Sequence, residues 1–110
     1  MTSSGSEPED QPVADRSIGY TKMGGGQWHP NTDPLPYRGT SAGGGYSTVE
    51  DLLRFANALQ NHKLLNADYT ELLTTGKVDT AGGPYGYGFG ETINGTPCFG
   101  HGGGARGNAP

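Results

Sequence analysis

The sequence predicts an α+β fold, and three observations carry that prediction. Ser47 and Glu50 form an S-x-x-E pair that opens a run of apolar residues at helical spacing. A second, shorter periodic run begins at Ala67, after Asn66. Asn94-Gly95, the favoured two-residue turn between twisted antiparallel strands, sits between segments of alternating character. The expected inventory is one capped amphipathic helix, a short second helix and a β-hairpin, joined by long Gly/Pro-rich loops.

Taken in order, residues 1–15 are acidic and rich in Ser and Pro, and read as a flexible leader. The stretch "RSIGYT", Arg16 to Thr21, alternates as a short strand does. From Lys22 to Gly45 the chain is punctuated by Gly, Pro, Asn and Asp and reads as a loop, with Trp28, Pro34, Pro36 and Tyr37 as its large contact surfaces. A loop of that length is either functional or short of packing partners.

Within the main helix, expected from Thr48 to about Asn61, Val49, Leu52, Leu53, Ala56 and Leu59 recur on one side. Glu50, Asp51, Arg54 and Asn57 take the other, and the acidic first turn suits the helix dipole. The second helix is expected from Ala67 to Thr75, with Asn66 as its cap and Gly76 as its stop. In "YGYGFGETINGTPCFGH" the alternation puts Tyr85, Tyr87 and Phe89 on one face of a strand and Gly86, Gly88 and Gly90 on the other. Counting back from the turn pairs Ile93 with Thr96, Phe99 with Gly90 and His101 with Gly88. That register sets an imidazole beside bare backbone, where a substrate can lie close.

Composition narrows the function. Hydrophobic residues are only 31% of the chain, while Gly 21 and Pro 8 together exceed a quarter of it, so a self-sufficient core is not expected. The net charge of -4, without a basic stripe, argues against nucleic acid. One cysteine, Cys98, permits no internal disulfide; with His101 it makes a single C-x-x-H and no second ligand pair, so no metal site is expected. There is no apolar run of membrane-spanning length and no signal-peptide pattern at Met1.

The segment richest in chemical content is "CFGHGGGARG", Cys98 to Gly107. Gly102, Gly104 and Gly107 match G-x-G-x-x-G, but no helix or acidic partner follows within the chain, so a dinucleotide site is a poor fit. What the order of segments does resemble is the penicillin-recognising serine hydrolases: class C β-lactamases, D-alanyl-D-alanine carboxypeptidases and related esterases. Their motifs are S-x-x-K, then Y-x-N or S-x-N, then K-T-G or an H-x-G variant on a sheet strand. "GHGGG" resembles the third of these. "AGGGYSTVEDLLRFANAL", Ala42 to Leu59, resembles the family's helix start, "ADRSIGYT", Ala14 to Thr21, a family strand, "YGYGF" a further family segment, and "MTSSG" an internal turn.

The resemblance implies a partial β-lactamase/transpeptidase-like fold, with residues 16–110 an incomplete hydrolase domain. It implies catalytic roles for His101, in the place of the motif's lysine, and for Gly104, whose N–H would donate to the oxyanion hole. Such a donor contributes about 3–4 kcal/mol to transition-state stabilisation. Gly102 and Gly103 would leave the substrate unobstructed, and Arg106 would contact a substrate carboxylate. The implied ligand of the full-length parent is a small-molecule or peptide acyl donor; no cofactor is implied. The family is often periplasmic or secreted, which leaves this chain's compartment open.

The same comparison exposes what is missing. None of the serines is followed three residues later by lysine, and no tyrosine is followed two residues later by asparagine. The expectation is therefore a fragment of a serine hydrolase, with Met1 an internal methionine and the N-terminal and C-terminal parts of its own domain as partners. Two other readings stay open: a non-catalytic peptide- or protein-binding module using the aromatic strand face and sheet edge, and a disordered Gly/Pro-rich segment. Each candidate residue also has a structural reading: His101 as an exposed strand-end histidine, Arg106 as a solvated cation, Glu50 and Asp51 as helix-start carboxylates. His29 and His62 have no partners at a recognisable spacing.

Overall fold

Helix α1, Val49–Gln60, begins where the apolar periodicity begins, but its cap is shifted by one residue from the expected box. Thr48 Oγ1 accepts the Asp51 N–H at 3.2 Å, and the Thr48 carbonyl accepts the first intrahelical bond from Leu52 at 3.0 Å. Ser47 is instead drawn to Ser4, the two hydroxyls lying 2.7 Å apart. The helix ends in a Schellman arrangement: Lys63 N–H donates to the Ala58 carbonyl at 2.9 Å and His62 N–H to Leu59 at 3.1 Å. His62 takes the left-handed position usually given to glycine, at φ 55. Its ring lies 3.3 Å from the buried Thr70 hydroxyl, so a histidine without a recognisable partner in sequence has one in space.

The computed structural model describes residues 1–22, 24–30, 38–92 and 98–104. The chain divides into two compact units, Met1–Leu52 with Gly103–Pro110, and Leu53–Gly102.

In the first unit, β1 (Tyr20–Lys22) pairs antiparallel with β2 (Trp28–Pro30), matching Tyr20 to Pro30, Thr21 to His29 and Lys22 to Trp28. The strand therefore starts later than its alternation predicts, and the expected loop contains a strand. Lys22 Nζ lies 5.1 Å from the Trp28 ring centroid, a cation–π contact across the pair. Gly25 and Gly26, both at positive φ, reverse the chain between them.

The rest of this unit is held by polar contacts. Gly5 and Tyr46 exchange backbone bonds of 3.1 and 3.0 Å, Arg38 Nε donates to the Ser6 carbonyl at 2.8 Å, and Thr40 and Gly43 close a tight turn. Asp51 is fully buried, and its Oδ2 accepts the Ser3 N–H at 2.7 Å and the Ser4 hydroxyl at 2.8 Å. Residues read as leader are thus tied to the start of α1.

In the second unit, α2 (Ala67–Thr74) is capped as the sequence predicts, Asn66 accepting the Tyr69 N–H at 2.9 Å. Its end differs: the C-cap is Thr75, in an extended conformation, so Gly76 is not needed as a left-handed stop. The strands β3 (Val78–Thr80), β4 (Gly83–Tyr85), β5 (Gly90–Thr92) and β6 (Cys98–Gly100) form an antiparallel sheet in that order.

Among the described residues Leu59 is the one buried hydrophobic side chain. The stripe expected to pack, Val49, Leu52 and Leu53, is 78%, 55% and 61% exposed. Uncovered apolar area gives up about 25 cal/mol per Å² of stabilisation, so α1 rests on its caps more than on burial.

Removing the buried carboxylate should therefore be costly. Asp51→Ala is expected to lower stability by about 2–3 kcal/mol, since two donors lose a charged acceptor. Denaturant melts should read that loss, and hydrogen exchange should show the Ser3 amide losing its protection.

Candidate functional site

The candidate site begins at the C-terminal end of α2. Tyr87 N–H donates to the Leu73 carbonyl at 3.2 Å, one of the groups a helix end leaves without an internal partner. Gly86 is pressed onto the same place: a Cβ there would stand 2.7 Å from the Thr75 oxygen and 2.9 Å from the Leu73 oxygen. Only glycine fits. Gly86 N–H then donates to the Phe89 carbonyl at 2.7 Å, closing a turn in which Gly88 takes φ 84.

Residues 86–89 are consequently a turn between β4 and β5, and not the middle of one strand as the alternation predicts. An aromatic–glycine repeat satisfies a turn with close backbone contacts as well as it satisfies a strand; the approach of α2 decides between them. Lys77 N–H donates to the Tyr85 carbonyl at 2.8 Å, fixing Tyr85 on the neighbouring strand β3 side as well.

From this junction the sheet register follows. Tyr85 pairs with Gly90, and Gly90 with Gly100, with Glu91 opposite Phe99 and Thr92 opposite Cys98. The expected register, Phe99 with Gly90 and His101 with Gly88, is wrong by one residue. A two-residue turn in register needs an even number of residues between paired positions, and five separate Thr92 from Cys98. The Asn94-Gly95 turn itself and the Ile93–Thr96 pair lie outside the described residues.

The observed register lays Tyr85, Gly90 and Gly100 in one row across three strands. With no side chains on the two glycines, the Tyr85 ring lies over Gly90, its Cδ2 4.0 Å from where a Cβ would stand. It meets the His101 ring in a T-shaped contact, centroids 6.1 Å apart at an interplanar angle of 67°. Phe89 and Phe99 make a second edge contact, at 5.4 Å and 88°.

His101 is exposed and directly follows β6. Gly102, beside it in the second unit, has open space where a side chain would be, and so does Gly103 in the first unit. Gly104 is exposed, and Arg106 lies outside the described residues. The structure thus joins His101 to Tyr85, a residue expected on a strand face. The signal for Tyr85 was its place next to Gly86, readable only once the helix end is known.

Elsewhere, an open concavity of roughly 360 Å³ runs along α2, lined by Asp68, Glu71, Leu72, Thr75 and Lys77, and includes none of the candidate residues. Among the described residues no three His, Cys, Asp or Glu side chains group closely enough to hold a metal ion, and the Cys98 thiol is free and exposed. No described helix is long and apolar enough to cross a membrane.

Residues 1–109 match the family model described as Beta-lactamase. The chain belongs to the beta-lactamase family. Its fold is similar to that of the penicillin binding protein from Bacillus halodurans, with a TM-score of 0.71 and 39% sequence identity. That likeness covers 78% of this chain and 27% of the other, so the chain spans about a quarter of its neighbour's length. No curated protein matches the chain. The α+β mixture of helices and short antiparallel strands accords with membership.

The two glycines beside Tyr85 should respond differently to a methyl group. Gly86→Ala forces backbone apart and is expected to lower stability by about 1–3 kcal/mol. Gly90→Ala meets only ordinary contacts, at 3.6 and 4.0 Å, and should change it by less than about 1 kcal/mol. Parallel denaturant melts of the two variants check the contrast.

Proposed function

We propose that these residues form one wall of the acyl-transfer site of a β-lactamase-related serine hydrolase that cleaves amide or ester bonds through an acyl-enzyme. The observation that supports this most is an exposed imidazole, His101, next to Gly102, which has open space where a side chain would be, within a chain of the beta-lactamase family.

In such a reaction a serine oxygen attacks the acyl carbonyl carbon, the amine or alcohol leaves with a proton, and water then attacks the acyl ester. His101 would hold a substrate carboxylate or assist proton transfer. Gly102 and Gly103 would let the substrate lie along the backbone. The Gly104 N–H would donate to the oxyanion, and Arg106 would pair with a carboxylate on the acyl donor.

The sequence contains neither S-x-x-K nor Y-x-N, so the serine, its lysine and the tyrosine are assigned to polypeptide outside these 110 residues. The remainder of a hydrolase domain is accordingly the proposed partner. The uncovered apolar face of α1 and the quarter-length match to the penicillin binding protein both favour it.

The purified chain should hydrolyse neither nitrocefin nor p-nitrophenyl esters above the buffer rate. Turnover that co-purifies with the polypeptide and disappears in a His101→Ala variant would place the nucleophile within these residues and overturn the assignment.

A further inference from the structure

Of the features outside the proposed chemistry, the concavity along α2 is lined by exposed side chains of one helix and its exit, with no buried polar group among them. Among the described residues the exposed Cys98 thiol joins no group of His, Cys, Asp or Glu that could hold a metal ion. The contact between Tyr85 and His101 is different in kind, because three independent constraints converge on it.

The first constraint is the anchoring of Tyr85. Its carbonyl accepts the Lys77 N–H at 2.8 Å, and the next residue, Gly86, is seated against the Leu73 and Thr75 oxygens with no room for a side chain. The backbone of residue 85 is fixed from both sides. The second is the row of bare backbone across the sheet. Gly90 and Gly100 stand in line with Tyr85, and the Tyr85 Cδ2 lies 4.0 Å from where a Gly90 side chain would begin, space that a larger residue would take. The third is the geometry of the meeting: the rings touch edge to face at 6.1 Å and 67°, while His101 keeps an exposed side. In such an arrangement the partially positive edge of one ring meets the negative face of the other.

We infer that Tyr85 is a positioning residue for His101: its ring, lying beside Gly90 and edge to face with the imidazole, selects one orientation of that imidazole at the sheet rim. This rests on the reading of His101 as the H-x-G imidazole, and it adds a specific partner to that site. An exposed imidazole at a strand end samples several rotamers. A ring packed edge to face against one side of the imidazole removes the orientations that would place the two rings in the same space. Preorganisation of this kind matters because displacement of a reacting group by about 1 Å can cost on the order of 100-fold in rate. Tyr85 acts here through its ring. The hydroxyl is not required, and phenylalanine should serve.

The test uses the intact chain and its imidazole NMR signals, so it does not depend on turnover. His101→Gln identifies the His101 resonances among those of His29 and His62. In the unsubstituted chain the His101 ring protons should be displaced from free-imidazole positions by the tyrosine ring current, and should show cross-relaxation with the Tyr85 ring protons. Tyr85→Leu should return the His101 signals to free-imidazole positions while leaving those of His62, bonded to Thr70, unmoved. Tyr85→Phe should keep the displacement.

Unshifted His101 signals in Tyr85→Leu, or loss of the displacement in Tyr85→Phe, would overturn the inference. Should Tyr85→Leu disturb the fold, the His62 signals would report it, and the cross-relaxation and the Tyr85→Phe variant would still decide. Hydrolysis by the chain alone would contradict the proposed function without touching these signals, so the two failures are distinguishable.

Discussion

Everything at the candidate site depends on the seating of Gly86 against the end of α2. A helix end leaves carbonyls unpaired, and here the Leu73 oxygen accepts an N–H from the following turn while the Gly86 backbone presses within contact distance of it. Because a side chain cannot enter, the turn has one place to sit. That fixes where β4 ends and β5 begins, which in turn fixes which glycines stand opposite Tyr85. The chemistry assigned to His101 is downstream of a steric fact some fifteen residues earlier in the chain.

The two units solve the problem of a thin core differently. The first replaces burial with hydrogen bonds: a fully buried carboxylate at Asp51 gathers the Ser3 amide and the Ser4 hydroxyl, and Gly5 pairs with Tyr46. The second uses caps and ring contacts, with a Schellman turn at His62, an Asn66 cap and two edge-to-face aromatic pairs. In both, the apolar face that a helix normally hides is left largely uncovered.

Both helices were legible in the sequence, because helical periodicity and capping are local properties. Asn66 caps as its position predicts. The cap of α1 moved from Ser47 to Thr48 because Ser47 has a competing partner, Ser4, more than forty residues away, which no local rule contains. The strands were less legible for the same reason. "YGYGFG" alternates like a strand, yet the end of α2 folds it into a turn. Likewise the dipeptide Asn94-Gly95 suggested a register that the observed pairing of Gly90 with Gly100 shifts by one. Of the candidate site, His101 and its flanking glycines were named from the motif, while the contact of Tyr85 with His101 was not, because it joins a residue of β4 to the one that follows β6.

The central claim is that register, since it alone brings Tyr85, Gly90 and Gly100 into one row. It can be measured with the single native thiol. Directly opposed cross-strand residues have Cα atoms about 4.5–5.5 Å apart, within the span of a disulfide, whereas neighbours one residue out of register point to opposite faces. Under mild oxidation, Thr92→Cys should close a disulfide with Cys98 in the monomer, and Glu91→Cys should not. Closure by Glu91→Cys and not by Thr92→Cys would restore the pairing of Gly90 with Phe99, break the glycine row and contradict the account.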